Sequence, residues 1–127
     1  MTYEQEAVAE TLNSRVTIGA REGYDGQKEY SLEEVLEKVE SINGELTGDL
    51  KPLNCIVSEG HLVGRSGDST YREKVYCLDF KWSPRSETMG EANFLRMTKE
   101  YAFRMGKKMN QERVYIDFKG RTYVLKN

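Results

Sequence analysis

The chain has 127 residues, a length that fits one domain and argues against two. Its 19 lysines and arginines stand against 21 aspartates and glutamates, and a formal charge of −2 argues against a general nucleic-acid coat protein. With 38% hydrophobic residues and eight tyrosines, the composition is too apolar for a disordered chain. These values predict an ordinary hydrophobic core beneath a charged surface.

No stretch approaches 18 consecutive apolar residues, so no membrane span is expected. The opening MTYEQEAVAE is acidic and lacks the apolar segment of a secretion signal, so we expect a cytoplasmic protein. One histidine and no Cys-x-x-Cys motif argue against a zinc site, and no metal or cofactor is expected. Cys55 and Cys77 are expected to be buried free thiols, with a disulfide between neighbouring strands as the alternative.

The pattern predicts a polar N-terminal arm, flexible or loosely helical, over residues 1–13. A single α+β domain is expected over residues 14–127. Its first strand is predicted at residues 15–21, where apolar and polar residues alternate around Val16 and Ile18.

The first helix is predicted at residues 32–43. Ser31 and Glu34 have the spacing of a capping box, and Asn43-Gly44 suits a helix end. Apolar residues recur at helical spacing within it: Leu32, Val35, Leu36, Val39 and Ile42.

Two strands follow, at residues 53–65 and 72–82. The first is expected to be bulged or broken at Glu59-Gly60. The second alternates clearly and predicts two faces. One face carries Tyr76, Leu78, Phe80 and Trp82, and the other carries Val75, Cys77, Asp79 and Lys81.

A second helix is predicted to begin with a capping box formed by Thr88 and Glu91. Its apolar stripe comprises Phe94, Met97, Tyr101, Ala102, Met105 and Met109. Strands at residues 113–118 and 121–125 are joined by a tight turn at Lys119-Gly120.

This order of elements predicts a ferredoxin-like βαββαβ sandwich, an antiparallel sheet with two helices on one face and a short extra C-terminal strand. The segments RVTIGAREGYDG, SLEEVLEKV, EGHLVGRSGDSTYREKVYCLDF and VYIDFKGRTYVLKN carry a resemblance over residues 15–127. In them the chain resembles small βαββαβ proteins of unknown function encoded by phages and mobile elements. The resemblance implies an accessory protein of viral origin and supplies no catalytic motif.

Two loops are candidate anion sites. The first joins a strand to a helix and carries Arg21 and Tyr24 among glycines, although Tyr-Asp-Gly is also ordinary turn chemistry. The second is rich in hydroxyl groups and small residues, which suits an anion-binding nest but also a solvated hairpin loop. Its candidate residues are Arg65, Ser66, Tyr71 and Arg72.

Three further residues complete the candidate ligand site. His61 is the only histidine and would be the first choice for a general base, although a structural role is the alternative. Trp82 and Arg85 follow the central strand, and a tryptophan with an arginine suits stacking and phosphate recognition. Trp82 could equally be a core residue.

Asp79 and Asp117 lie in the middle of apolar strands, on the face opposite the aromatic residues. They are surface charges if that face meets solvent. If a second sheet covers it, they must pair, and Arg113, Arg121 or Lys81 could supply the partner. The open face is partly apolar, so we expect a homo-oligomer, a dimer or higher, with ligand pockets between protomers.

The leading hypothesis is a binding protein without chemistry. Arginines and aromatic residues in the loops suit an anionic, nucleotide-derived signalling molecule, and no catalytic set is evident. A phage origin would make it an anti-defence protein that sequesters such a signal.

Two alternatives stay open. One is a small enzyme, a phosphodiesterase or isomerase acting on a nucleotide signal through His61, although one histidine excludes a two-histidine phosphodiesterase. The other is an interaction module that inhibits a host factor through its open sheet. RNA binding is disfavoured because Asp79 and Asp117 stand in the central strands.

Overall fold

The computed structural model describes residues 1–8, 10–23, 28–83 and 88–127. These residues form five strands and two long helices. The strands are β1 (Asn13–Gly19), β2 (Cys55–Ser66), β3 (Ser69–Lys81), β4 (Arg113–Phe118) and β5 (Arg121–Lys126); the helices are α1 (Leu32–Glu45) and α2 (Glu91–Lys108).

The strands form one antiparallel sheet in the order β2-β3-β1-β4-β5. The predicted α+β class, with two helices and an antiparallel sheet, is confirmed. Neither described helix is long and apolar enough to cross a membrane.

Alternation along the three middle strands puts their large apolar side chains on one face of the sheet. Ile18, Tyr76 and Ile116 are at most 1% exposed there, and both helices pack over them. The predicted helix stripe is confirmed, since Phe94 and Tyr101 of α2 are fully buried. The opposite face of the sheet carries Arg15, Cys77, Asp79 and Tyr115, as the alternation predicted.

Helix α1 starts as predicted and ends later. Ser31 accepts a hydrogen bond from the Glu34 amide, and the Glu34 carboxylate accepts one from the Ser31 amide. The predicted stop at Asn43-Gly44 is wrong, because the helix continues to Glu45 and Leu46 closes it by donating to the Ile42 carbonyl.

Helix α2 begins at Glu91, so the predicted capping box at Thr88 and Glu91 is wrong. Gly90 occupies the N-cap position with φ +86°, a conformation that glycine adopts freely, and no side chain caps the helix. The expected break in β2 is also absent, since Cys55 to Ser66 pair with β3 without interruption.

The tight packing of α2 on β4 depends on Gly106. A Cβ built there would lie 2.9 Å from Val114 Cγ2, and the stiff, branched valine cannot move aside easily. We expect Gly106→Ala to lower the free energy of unfolding by about 1–3 kcal/mol, because overpacking outweighs the gain in helix propensity. Urea denaturation measures this change.

A matched control lies in the other helix. Gly44 has open space around it, so Gly44→Ala should raise the free energy of unfolding by about 0.5–1 kcal/mol. The double variant Gly106→Ala/Val114→Ala should lose less free energy of unfolding than the sum of the losses in the two single variants. Equal effects of alanine at both glycines would contradict the steric explanation.

The start of α1 gives the protein an acid-sensitive contact. Lys28, 2.7 Å away, and the Ser31 amide lower the pKa of Glu34 to about 2 from its ordinary 4.5. Because the folded pKa is the lower one, this stabilisation is complete above about pH 4.5 and is lost as the pH falls towards 2. Glu34→Gln should therefore destabilise the protein at pH 7 and flatten its loss of stability between pH 5 and 2. Urea denaturation across this range tests it, with Glu37→Gln as the control on the same helix.

Candidate functional site

An open cavity of about 700 Å³ lies at one end of the sheet, where β3 ends and α2 begins. The segment between α1 and β2 closes its other side through Asp49, Lys51 and Asn54. The residues of its wall thus come from three separate parts of the chain. Leu53 and Met97, both at least nine-tenths buried, supply apolar surface to it.

The hydroxyl group of Tyr101 holds this wall in place. It accepts a hydrogen bond from the Leu53 amide at 2.9 Å and donates one to the side-chain oxygen of Asn43. Burial raises the pKa of Tyr101, so the hydroxyl stays protonated and can donate. One buried group therefore ties α1, α2 and the segment before β2 together.

The rim of the cavity is cationic. Lys51, Lys81 and Arg96 line it, and none of them forms an ion pair with another described residue. Asp49 lines it as well, so both signs of charge are present around an apolar wall. This combination suits a molecule with a flat apolar part and a zwitterionic or anionic part.

No pattern in the sequence singles out these three cations as a binding site. They lie 15 or more residues apart, and each stands alone without a local motif. Of the candidate sites predicted from the sequence, only the segment after β3 lies near these cations. Its Ser83 lines the cavity, while Arg85 lies outside the described residues.

Trp82 packs into the core beside this cavity. Its ring meets Phe94 edge-on, with centroids 5.2 Å apart and planes at 85°. Trp82 therefore packs as a core residue, which was the alternative to a role in ligand binding. Its distance from Tyr71, eleven residues earlier in β3, is about 35 Å at roughly 3.3 Å per residue. The two aromatic residues cannot meet one small ligand within one protomer.

Most of the other predicted ligand residues lie on a projecting hairpin. We call residues 61–74 the hairpin arm, because the pairing of β3 with β1 ends at the Gly19–Val75 pair while β2 and β3 continue. The arm carries His61, Arg65, Ser66, Tyr71 and Arg72, and Arg65 folds onto its tip, donating to the Gly67 carbonyl at 2.7 Å.

Arg21 lies just beyond β1, where it pairs through its backbone with Glu29, and its carbonyl accepts a hydrogen bond from Gln111. Tyr24 lies outside the described residues. The predicted ligand residues that are described thus divide between the cavity end, the hairpin arm and the end of β1. Their role in binding stays a prediction.

His61 lies 3.4 Å from the Glu59 carboxylate and opposite Lys74 in the β2–β3 register, and its side chain is 61% exposed. The register puts His61 and Cys77 on opposite faces of the sheet, which excludes a dyad between them. Cys55 and Cys77 are free, as predicted, and are only partly buried; they too lie on opposite faces, so the alternative disulfide is absent. Burial raises the pKa of Cys55 to about 11, which makes it a poor nucleophile.

The two central aspartates lie on the face that neither helix covers, and Asp79 has a partner within the chain that the sequence analysis did not name. Asp79 binds Arg15 at 2.7 Å, across the β1–β3 pair. Asp117 accepts from the Thr122 hydroxyl at 2.8 Å and stands opposite Arg15 on β4. Among the described residues, no three histidine, cysteine, aspartate or glutamate side chains form a metal-binding group.

The sequence matches no protein-family model and no curated protein. The chain shares its fold with a phage enzyme. A phage SAM lyase in complex with S-methyl-5'-thioadenosine superposes on it with a TM-score of 0.68, over 99% of this chain and 97% of that chain, at 11% identity. A phage SAM lyase in the apo state gives a TM-score of 0.64, over 98% and 97%, at 13% identity.

These neighbours correct the leading hypothesis and support part of the resemblance. The expectation of a non-enzymatic protein that sequesters a nucleotide signal is contradicted, because the shared fold is that of an enzyme. The alternative of a small enzyme agrees better with it. Both neighbours are phage proteins, which agrees with the resemblance to small phage proteins.

The hydroxyl of Tyr101 provides a test of how the cavity wall is built. We expect Tyr101→Phe to lower the free energy of unfolding by about 1–3 kcal/mol, because the buried Leu53 amide loses its acceptor and the exposed Asn43 side chain loses a donor. Urea denaturation measures this loss. Tyr123→Phe is the control, since the Tyr123 hydroxyl has no hydrogen bond within the described structure. Equal losses in the two variants would refute the role given to the Tyr101 hydroxyl.

Proposed function

We propose that the protein is a small enzyme that acts on S-adenosylmethionine and releases S-methyl-5'-thioadenosine. The observation that carries the proposal is the likeness of the whole chain to a phage SAM lyase, over 99% of one chain and 97% of the other. A likeness of this extent leaves no large part of either protein without a counterpart. It favours a shared activity over a shared fragment.

The cavity supports this substrate by size and by chemistry. Its volume of about 700 Å³ falls within the range of small-molecule sites. Leu53 and Met97 offer apolar surface to an adenine ring. The amino-acid part of the substrate is a zwitterion, for which Arg96 or Lys81 would pair with the carboxylate and Asp49 with the ammonium group.

The reaction needs little from the protein. The bond between the sulfonium sulfur and the γ-carbon of the amino-acid chain breaks, and its electron pair stays on sulfur, which becomes a neutral thioether. An oxygen of the substrate's own carboxylate forms the new bond to the γ-carbon and closes a lactone. No water, proton or cofactor is consumed, so atoms and charge balance.

The protein would contribute by holding the substrate chain folded, with its carboxylate behind the γ-carbon. Such positioning can supply several kcal/mol of rate enhancement without a nucleophile or an acid–base pair. A pairing of Arg96 or Lys81 with one carboxylate oxygen leaves the other oxygen for attack. This explains how a chain with one exposed histidine and no catalytic motif can still be an enzyme.

We assign the sheet to the ferredoxin-like arrangement, because β4, β1, β3 and β2 follow one another across an antiparallel sheet and β5 adds one strand at the β4 edge. The cytoplasmic location and the single domain over residues 14–127 expected from the sequence stay predictions.

Incubation of the purified chain with S-adenosylmethionine tests the proposal directly. Mass spectrometry should detect S-methyl-5'-thioadenosine and a lactone, formed over many turnovers. Substrate that stays intact, with no thermal shift on adding S-methyl-5'-thioadenosine, would overturn the proposed function. Product containing free homoserine from the start would replace the lactone route by hydrolysis.

Variants of the rim test where the substrate binds. Arg96→Ala and Lys81→Ala should each lower kcat/KM about 10- to 100-fold. This range corresponds to the free energy of one charge-assisted hydrogen bond. Lys107→Ala is the control on α2, since Lys107 lies about 16 Å along the helix from Arg96 and packs on Phe103. Activity unchanged in both rim variants would exclude this cavity as the site.

A further inference from the structure

The outer edge of β5 carries no further strand in the part of the chain that the structure describes. The two-residue turn before β5 makes Phe118 and Arg121 a hydrogen-bonded pair, and such pairs alternate along an antiparallel ladder. Asn127 agrees with this phase, because its amide donates to the Glu112 carbonyl at 2.8 Å. Three β5 residues therefore point their backbone groups away from β4: Thr122, Val124 and Lys126. An open edge of this kind binds a further strand readily, and most proteins cover or blunt it.

An apolar crevice lies behind this edge, between β5 and α2. Its volume is about 70 Å³, and Phe103, Val114 and Leu125 contribute to its wall. Phe103 is 52% exposed, so apolar surface stays uncovered beside the edge. The strand itself is basic, since it contains Arg121 and Lys126 and no acidic residue. A segment that covers this edge should therefore be acidic and should present apolar side chains towards α2.

The N-terminal segment, residues 1–12, has the composition of such a strand. Its described residues belong to no helix or strand, and all of them except Leu12 are exposed, Tyr3 to 89%. The segment contains three glutamates and no lysine or arginine. Its first seven residues alternate with the period of a half-buried strand, Met1, Tyr3 and Ala7 on one side and Thr2, Glu4 and Glu6 on the other.

We propose that the N-terminal segment folds back along its own chain and pairs with the open edge of β5 as a sixth strand. Strand β1 begins at the same end of the sheet as β5, because Ser14 stands opposite Phe118 and Phe118 stands opposite Arg121. A chain that leads into β1 from along β5 therefore runs antiparallel to β5, like every other neighbour in this sheet.

The segment is long enough to reach this edge. Leu12 continues β1, since its carbonyl accepts from the Trp82 amide at 3.1 Å. The position beyond β5 is three strand spacings from β1, about 14 Å. The six residue steps from Leu12 to Glu6 extend up to about 21 Å, so residues 2–6 are left to pair with β5.

The alternation of the segment selects the register. With Thr2, Glu4 and Glu6 opposite the three outward-pointing residues of β5, Tyr3 falls opposite Leu125. Leu125 is on the helix side of the sheet and lines the crevice, so the Tyr3 ring covers the uncovered apolar surface there. Glu4 lies diagonally across from Lys126, within reach of its ammonium group. The pairing would cover the open edge and the exposed apolar side chains together.

Backbone hydrogen exchange, followed by NMR on the full chain, tests the proposal. The Val124 and Lys126 amides should exchange at least about tenfold more slowly in the wild type than in Glu4→Pro, because proline removes an amide that faces β5. Gln5→Pro is the matched control, since the Gln5 amide would point away from β5, where proline is tolerated. Glu4→Gln separates the loss of charge from the loss of the amide.

Two outcomes of this measurement would overturn the proposal. One is equal exchange of both amides in the wild type and in Glu4→Pro. The other is a protection that disappears on dilution, because another copy would then supply the strand.

A disulfide probes the same contact independently. In a Cys55→Ser/Cys77→Ser background, Tyr3→Cys and Leu125→Cys would stand directly opposite each other, with Cα atoms about 4.5 Å apart, which suits a disulfide. Oxidised glutathione should close this bond within one chain, as read from the intact mass. Thr2→Cys with Leu125→Cys is the control, because the two side chains would lie on opposite faces.

No bond in the Tyr3→Cys/Leu125→Cys variant, or bonds between two chains only, would contradict the proposal. Equal bond formation in the control variant would contradict it as well, because the segment would then lack the proposed register. Neither measurement involves S-adenosylmethionine, so this proposal and the proposed reaction can fail separately.

Discussion

The structure depends on the burial of one face of the three middle strands beneath α2. Ile18, Tyr76 and Ile116 belong to that face, and Phe94 and Tyr101 of the helix are buried in the same core. The approach is close enough that a methyl group at Gly106 would meet Val114. This one layer of contact determines which side of the sheet is core and which stays open.

Two consequences follow from covering one face only. At one end of the buried layer, the segment before β2 crosses towards α2, and the hydroxyl of Tyr101 holds it there. The gap between that segment, the end of β3 and the start of α2 is the cavity. On the other side, the strands leave a face that neither helix covers, on which Arg15 pairs with Asp79.

The proposed chemistry explains why the sequence carries no catalytic motif. Hydrolysis of a phosphodiester needs an activated water, for which the sequence offers His61 as the candidate general base. Cleavage of a sulfonium substrate by its own carboxylate needs neither, because the substrate carries the leaving group and the nucleophile. A site of that kind needs shape and a few placed charges.

Local patterns predicted much of the fold. Alternation in β3 predicted its two faces, helical spacing predicted the buried stripe of α2, and Ser31 with Glu34 predicted the start of α1. These predictions are confirmed because a periodic pattern depends only on the strand or helix in which the residues themselves lie. The helix ends were predicted less well. Gly90, with φ +86°, takes the N-cap position of α2 instead of Thr88, and α1 continues past Asn43 to Glu45, which pairs with Arg104 and Lys108 of α2.

The sequence by itself determined the α+β class, the order of elements, the faces of the strands and the residues of the core. Only the tertiary structure decided the site. Lys51, Lys81 and Arg96 have no common motif, because three distant segments bring them to one cavity. The partner of Asp79 was decided in the same way, since the pairing of β1 with β3 places Arg15 beside it. Periodicity within a segment cannot report a contact between segments, and the cavity consists of such contacts.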